Sequence, residues 1–397
     1  MVEPLCALAQ SDNLEDPFLD LRETSSSSVS TNSPLPLATT DLFGENFTFK
    51  RELLAQTSLY GTAQSSSPHL NEGNRWYTKE SIGGEVQKKF STTTRTVGAL
   101  DIQGRFVRRD NFFAVTNDSE GMDREGWFFE YHNLYLDLYD IANPLLSEDL
   151  KGSATGHFNL RVGRYYLPFG LNLQSDTHGT LLQLSNERNF GYERDWYAGL
   201  FGSVNRSVNY DLYYMLGSGY EPSPRFGGGM IGSRLSLSNS VKNDIGLEGG
   251  VSALQGKRRS SPMLYESEYD LIDTKRVGAD LRYNHLFLDG TLTESTELSQ
   301  GSDDGTSVLT QLYQVDYLHR SRAWGSAAQY RSFAGERVAT HGRGNSDTSI
   351  IGELTWFIRN DIESTNLHWI KLGIERQLEQ MVGSRGTITT LQYYRYW

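Results

Sequence analysis

The 397-residue chain is poor in several things that would place it quickly. It has one cysteine, Cys6, which excludes a disulfide scaffold and any cysteine-built zinc or iron–sulfur site. It has no long apolar run: the longest is five residues, as in Leu212–Leu216, where a bilayer-crossing helix needs about twenty. Only 37% of its residues are hydrophobic, low for a soluble enzyme of this length, and only ten are proline. Positive charge is also scarce, with 37 Lys and Arg against 49 Asp and Glu and a net charge of -12, which argues against nucleic acid as a partner. What it has instead is 39 glycines and 12% aromatic residues, 22 of them tyrosine. That composition suits a large all-β protein.

Residues 1–45 differ from the rest. They carry eight acids and one base, a net of -7, leaving -5 of the total -12 for everything beyond. With Ser25–Ser28 and Pro34-Leu35-Pro36 and no sustained periodicity, this stretch reads as a disordered acidic tail, too polar to offset its ordering entropy by burial. Within it, Leu5-Cys6-Ala7-Leu8-Ala9 resembles the end of a secretory signal, with small residues at both positions of an A-x-A cleavage site. The basic start and most of the apolar stretch of such a signal are missing. A remnant of a leader and an unrelated apolar patch both remain open readings.

From residue 46 to residue 397 the chain falls into segments of about ten residues in which apolar and polar side chains alternate. Leu134, Leu136 and Leu138 oppose Asp137; Val277, Ala279, Leu281 and Tyr283 oppose Asp280 and Arg282; Tyr313, Val315 and Tyr317 oppose Gln314 and Asp316. A soluble β-sandwich alternates too. The rhythm of the connections separates the two. Strands are expected near 46–60, 77–91, 96–107, 127–139, 157–166, 195–204, 208–217, 229–238, 244–255, 275–284, 286–298, 306–319, 322–333, 348–358, 365–378 and 386–397. Short links at 205–207, 239–243, the single position His285, 319–322 and 359–364 take turns with long ones at 218–228, 256–274, 299–305, 334–347 and 379–385. Short turns on one rim and long loops on the other mark a bacterial outer-membrane β-barrel. The expected fold is therefore a transmembrane antiparallel barrel of about 16 strands, with 14 or 18 the neighbouring alternatives. Sixteen strands enclose an aqueous lumen, where about eight would be filled by side chains. The chain ends Leu391-Gln392-Tyr393-Tyr394-Arg395-Tyr396-Trp397, similar to the aromatic-terminated closing strand of outer-membrane proteins, with Arg395 the departure from it.

One connection is too long for a rim loop. It runs from about Leu167 to Arg194, and the strand before it, Leu160-Arg161-Val162-Gly163-Arg164-Tyr165-Tyr166-Leu167-Pro168-Phe169-Gly170-Leu171, resembles the corresponding segment of the phosphate-selective porin O and P family. Glu187-Arg188 and Arg194-Asp195 match pairs that follow in that family, and the resemblance covers about Phe158 to Gly219. It implies that the connection folds into the lumen as a constriction loop. Charges there would meet permeating solutes: Arg161, Arg164, Asp176, His178, Glu187, Arg188, Glu193 and Arg194. Ion pairs that only pin the loop are the alternative role for each. The family's phosphate does not carry over. Inward positions are expected to hold Asp137, Asp211, Glu248, Asp280, Asp316, Glu353 and Glu375 against Arg161, Arg234, Arg282, Arg331 and Lys371, which is no anion trap.

Catalytic and metal signals are weak. The eight histidines show no HExxH spacing, Gly227-Gly228-Gly229 lacks the Lys and Ser/Thr of a phosphate loop, and Asp303-Asp304-Gly305 reads as a loop tip. The expectation is a non-enzymatic porin without cofactor or resident metal, in the bacterial outer membrane. Its partners would be outer-membrane lipid, small hydrophilic solutes and two further copies in a homotrimer. A second class of function is the barrel sheath of an outer-membrane electron conduit threaded by a multihaem cytochrome; with no CxxCH in this chain, the haem would be the partner's. A soluble β-protein with an aromatic core is the third.

Overall fold

The computed structural model describes residues 46–62, 76–93, 95–109, 126–147, 156–171, 179–182, 185–190, 193–205, 207–220, 222, 227–241, 245–259, 271–335, 346–361, 366–379 and 386–397. The reading of residues 1–45 lies outside them. Sixteen strands follow one another: β1 (Phe47–Thr62), β2 (Trp76–Ser91), β3 (Thr96–Arg109), β4 (Gly126–Leu138), β5 (Asn159–Tyr166), β6 (Arg194–Asn205), β7 (Val208–Met215) and β8 (Gly229–Val241) make one half. The other half is β9 (Ile245–Arg259), β10 (Leu271–Phe287), β11 (Gly290–Asp303), β12 (Thr306–His319), β13 (Trp324–Gly335), β14 (Ser346–Asp361), β15 (Asn366–Glu379) and β16 (Gly386–Tyr396). A six-residue helix, α1 (Ser185–Phe190), lies in the connection between β5 and β6.

Each strand pairs antiparallel with its neighbours in sequence, and β1 pairs with β16 to close the barrel. The closing ladder runs from Glu52 opposite Tyr396 to Thr62 opposite Gly386, and Arg51 and Trp397 exchange backbone hydrogen bonds of 2.7 and 3.0 Å beyond it. Closure leaves no strand at the edge of the sheet, which is the condition for a sheet to stand in hydrocarbon.

The wall is inverted relative to a soluble protein. On β9 and β10, Leu247, Val251, Val277 and Leu281 point outward and are exposed, Val251 at 57%. The residues between them, Ser252, Asp280 and Arg282, are buried. The pattern repeats on β14 and β15, where Ile350, Leu354, Ile370, Leu372 and Ile374 are exposed and Ser349, Glu353, Lys371 and Glu375 are buried. Exposed apolar area on this scale is tolerated only against lipid. Exposed Trp76, Trp127, Trp324 and Trp356 stand on the same outer face, suited to the interfacial girdles of a membrane barrel.

Two connections differ from the expectation. The hairpin between β10 and β11 does not turn at His285. The ladder continues past it to Phe287, and Leu288-Asp289 makes the turn, with Leu288 at φ 51°. His285 instead shares the outward register of Tyr283 and stacks on it at 5.0 Å, an amphipathic pair that the polar Asn284-His285 sequence disguised. The link expected to be long at 299–305 is a tight hairpin: the β11–β12 ladder extends to Asp303 opposite Thr306, and Asp304-Gly305 turns with φ 47° and 83°. Positive φ at both central residues is what a type I′ hairpin turn needs, and Asp-Gly supplies it. The sorting of loops by rim is also broken once on the turn side, where residues 139–158 join β4 to β5 around a short 3₁₀ turn at Asn143–Leu145.

Candidate functional site: the barrel interior

Charge inside a barrel must be paired or solvated, and the inner wall pairs most of it. Arg105 reaches Glu52 at 2.9 Å, Lys371 reaches Glu353 at 3.0 Å, Arg331 reaches Glu375 at 2.7 Å, and Arg282 reaches Glu248 at 3.1 Å. Arg234 donates to both oxygens of Asp280. Arg161 grips Asp137 through two bonds of 2.7 Å and lies against the rings of Tyr165, Tyr135 and Phe201, at 4.0, 4.5 and 5.1 Å from their centres. Such a fork-to-fork pair stacked between aromatic faces is spoken for as a structural element. Other inward carboxylates are held by neutral groups, as Asp316 is by the Gln314 amide at 2.8 Å. Glu85 and Asp101 share the Nε2 of Gln87, at 2.7 and 3.2 Å, and Glu85 also accepts from the Tyr396 hydroxyl.

The β5–β6 connection starts and ends in an apolar cluster on the inner wall, where Leu167, Phe169, Leu171 and Phe190 pack with Tyr135, Tyr165, Tyr166, Tyr197, Tyr213, Met215, Met230 and Leu254. Gly170 takes φ 69°, and a Cβ there would come within 2.3 Å of the Glu297 carboxylate of β11. Glu297 accepts from the Leu171 N–H at 3.0 Å, and Ser252 of β9 accepts from the Gly170 N–H at 3.0 Å. Asn186 donates back to the carbonyls of Leu167 and Phe169, closing the base of the connection on itself. Farther along, Leu182 packs with Ala327 of β13 and Ile351 of β14, and Gly179 sits beneath Trp369 of β15 and Tyr394 of β16. The end of α1 is tied down by charge. Arg258 donates to the Phe190 carbonyl at 2.9 Å and Arg276 to that of Asn189 at 3.4 Å, and both guanidinium groups are anchored on Asp303 at 3.0 Å. Asn189 Oδ1 accepts from Ser299 and Thr310, at 2.6 and 2.8 Å. Asp303, read in the sequence as a loop tip, is thus an inward anchor for two buried cations.

Of the charged residues singled out in the sequence, Asp176 and His178 lie outside the described residues. Glu187 and Arg188 contribute backbone to α1, and their side chains lie outside the description. Glu193 and Arg194 are buried and pair with each other at 3.2 Å, with the Arg194 guanidinium over the Tyr166 ring at 3.9 Å and donating to its hydroxyl. Arg164 takes a different place from its neighbour Arg161. It shares the register of outward-facing Val162, is fully buried, and donates to the carbonyls of Tyr131 and His132 at 2.9 and 2.6 Å.

The setting explains it. The β4–β5 ladder holds only from Leu134 opposite Arg164 to Leu138 opposite Leu160; among the described residues no strand pairs with that side of β4 above Leu134. Arg164 fills part of that gap, and Tyr220, from the β7–β8 connection, fills the rest. Its hydroxyl donates to the Phe129 carbonyl and accepts from the Tyr131 N–H, both at 3.3 Å, while its ring stacks on Tyr131 at 4.4 Å. Burial here pushes the Tyr220 phenol well above its ordinary pKa. Asp195 organises the approach by accepting from the N–H groups of Gly217, Ser218 and Gly219, and Trp196 Nε1 donates to the Tyr220 carbonyl. Side chains thus seal the wall where β5 leaves it. No sequence pattern signals Tyr220, because its partners lie 89 and 91 residues away.

Among the described residues no group of three or more His, Cys, Asp or Glu side chains is placed to hold a metal ion. No family model matches the chain, and none of the curated proteins does. Solved structures do match over nearly its whole length. OprB of Pseudomonas putida, in a high-pH structure, superposes with a TM-score of 0.57 at 8% identity, covering 89% of this chain and 94% of that one. OmpF of Salmonella typhi in complex with daunomycin gives 0.52 at 11% identity, covering 88% and 97%. An anion-selective porin from Comamonas acidovorans gives 0.50 at 10% identity, covering 88% and 98%. At these identities the likeness is one of fold.

Proposed function

We propose that the chain is a porin of the bacterial outer membrane, forming a water-filled channel through which small hydrophilic solutes or ions diffuse passively. The observation that carries this reading is the wall itself: sixteen strands closed into a ring, apolar outside and charged within. A closed sheet of that size has an interior wider than side chains alone fill. The proteins it superposes on include ones described as porins, which supports the same reading. The sheath alternative has an obstacle inside the barrel, since the described residues of the connection, 167–171, 179–182 and 185–190, pack on the inner wall in space that a threaded cytochrome would need.

The inward charges argue for little selectivity. Fixed charges bias ion passage when they are unbalanced at a narrow point, and here most cancel in pairs. Outside those pairs, Glu85, Asp101 and Asp316 rest on neutral donors and Glu297 on a backbone N–H, against Lys50, Lys79 and the second arginine on Asp303, a remainder that favours cations only slightly. Reversal potentials of the refolded protein in planar bilayers under a salt gradient test both statements. Discrete conductance steps and a small reversal potential of cation-selective sign are expected. Absence of steps would remove the channel reading, and strong anion preference would remove the charge argument while leaving the channel.

A further inference from the structure

We propose that the outer face of β16 and β1, at the turn rim, binds an anionic phospholipid, with the phosphodiester of its headgroup held between Arg51 and Arg395. This is a property of the outer wall, separate from what the lumen conducts. Arg395 is the departure in the closing strand, a cation where an apolar residue is expected. It shares the outward register of Leu391 and Tyr393 and is exposed. On the neighbouring strand Arg51 shares the outward register of Phe49 and Leu53 and is exposed too. Leu53 lies opposite Arg395, and the backbones of Arg51 and Trp397 exchange hydrogen bonds. The two arginines are therefore diagonal neighbours on one face, with backbones about 7–8 Å apart. One phosphodiester can bridge two long side chains so placed. The row continues across β15 and β14, where His368 lies opposite Arg395 and Arg359 opposite His368.

Two observations point to an anion. The first is the charge itself. Arg395 lies over the Trp397 ring at 4.5 Å and Arg51 over the Phe49 ring at 5.8 Å, contacts that leave the positive charge uncancelled. Among the described residues neither guanidinium is in an ion pair, and no carboxylate side chain of β14, β15, β16 or β1 points outward: Glu52, Glu353 and Glu375 are inward and buried. The Trp397 backbone oxygen accepts from the Arg51 N–H at 2.7 Å. Outward cations near the loop rim are placed differently. Arg108 pairs with Glu80 at 3.3 Å, and Lys257 stands opposite Asp273. The second observation is height. Arg395 is the penultimate residue of β16, and Arg51 bonds to the residue just beyond that strand. A cation there leaves the hydrocarbon for the headgroups of the periplasmic leaflet, where anionic lipid attracts it. Arginine also presents paired N–H donors that match a phosphate.

Native mass spectrometry of the full-length protein in detergent tests the site, with phosphatidylglycerol and phosphatidylcholine of the same acyl chains as probes. The unsubstituted chain is expected to bind phosphatidylglycerol about tenfold or more tighter, since each arginine near an anionic headgroup contributes roughly a factor of five. Arg51→Gln and Arg395→Gln should each lower that preference about fivefold, and the double variant should nearly abolish it. Lys275→Gln with Arg376→Gln removes the same charge from exposed outward positions toward the loop rim and should leave the preference within about twofold. Heat-modifiable gel mobility shows which variants have folded. A second measurement needs no variant: phosphatidylglycerol vesicles, but not phosphatidylcholine vesicles, should slow phenylglyoxal modification of Arg51 and Arg395, read by peptide mass. Equal affinity for the two lipids, an equal loss in the loop-rim control, or equal modification in both vesicles would overturn the inference. So would a double variant that keeps its lipid preference and falls to a smaller oligomer, which would assign the pair to a contact with a second copy. Conductance is read separately, so the channel reading stands or fails on its own.

Discussion

Replacing Asp303 with alanine is expected to destabilise the barrel by about 3–5 kcal/mol, because it strands two buried guanidinium groups at once. Arg258 and Arg276 each meet the Asp303 carboxylate at 3.0 Å, and Thr274 donates to it at 2.9 Å. Nothing else described neutralises the two arginines. The same arginines hold the last carbonyls of α1, so the loss should spread to the β5–β6 connection. Urea unfolding of the protein in lipid vesicles gives the stability change, and noisier single-channel current reports the loosened connection. The neighbouring residue is the control. Asp304 makes the turn and accepts one exposed backbone hydrogen bond from Asp273 at 2.8 Å, so Asp304→Ala should cost only about 0.5–1.5 kcal/mol. Similar costs at the two positions would contradict the inward placement of Asp303.

An arginine at Val251 is expected to cost about 2–4 kcal/mol, the penalty for a cation on the lipid face near the bilayer midplane. Val251 is outward and 57% exposed, midway along β9, and its ladder partners Leu235 and Ala279 face the same way. In a water-soluble protein an arginine at so exposed a position is nearly neutral. The measurement is again urea unfolding from vesicles, and a cost within about 0.5 kcal/mol of zero would mean that this face meets water.

The fold was largely legible in the sequence because its cause is local. A sheet between lipid and water forces the side chains to alternate, and alternation survives in the chain whatever the register. The count of sixteen strands, and inward placement of Asp137, Asp280, Asp316, Glu353 and Glu375, follow from that alone. Misplacements arose where a local cue was weak. Asn284-His285 looked like a turn because it interrupts the apolar face, although His285 only replaces one girdle residue with another. Polar Ser299–Ser302 looked like a loop because it lies near the rim, where the ladder no longer needs apolar partners.

The interior was less legible. Arg161 and Arg164 are three residues apart in one motif, yet one pairs with Asp137 inside and the other plugs the wall beside Tyr220. Register decides between them, and register depends on where β5 parts from β4. Likewise the pairing of Arg234 with Asp280, 46 residues away, follows from strand stagger that composition does not reveal. The anchoring of α1 by Arg258, Arg276 and Asp303 needs three strands and the connection in place together.

The central claim is that the outer face of these strands touches hydrocarbon. Tryptophan quenching in vesicles of brominated lipid tests it most directly, because Trp76, Trp127, Trp324 and Trp356 are exposed on that face while Trp369 is buried within. Strong quenching is expected, weakened when the four exposed tryptophans are replaced by phenylalanine and unchanged by Trp369→Phe. Fluorescence that brominated lipid leaves intact would contradict the account.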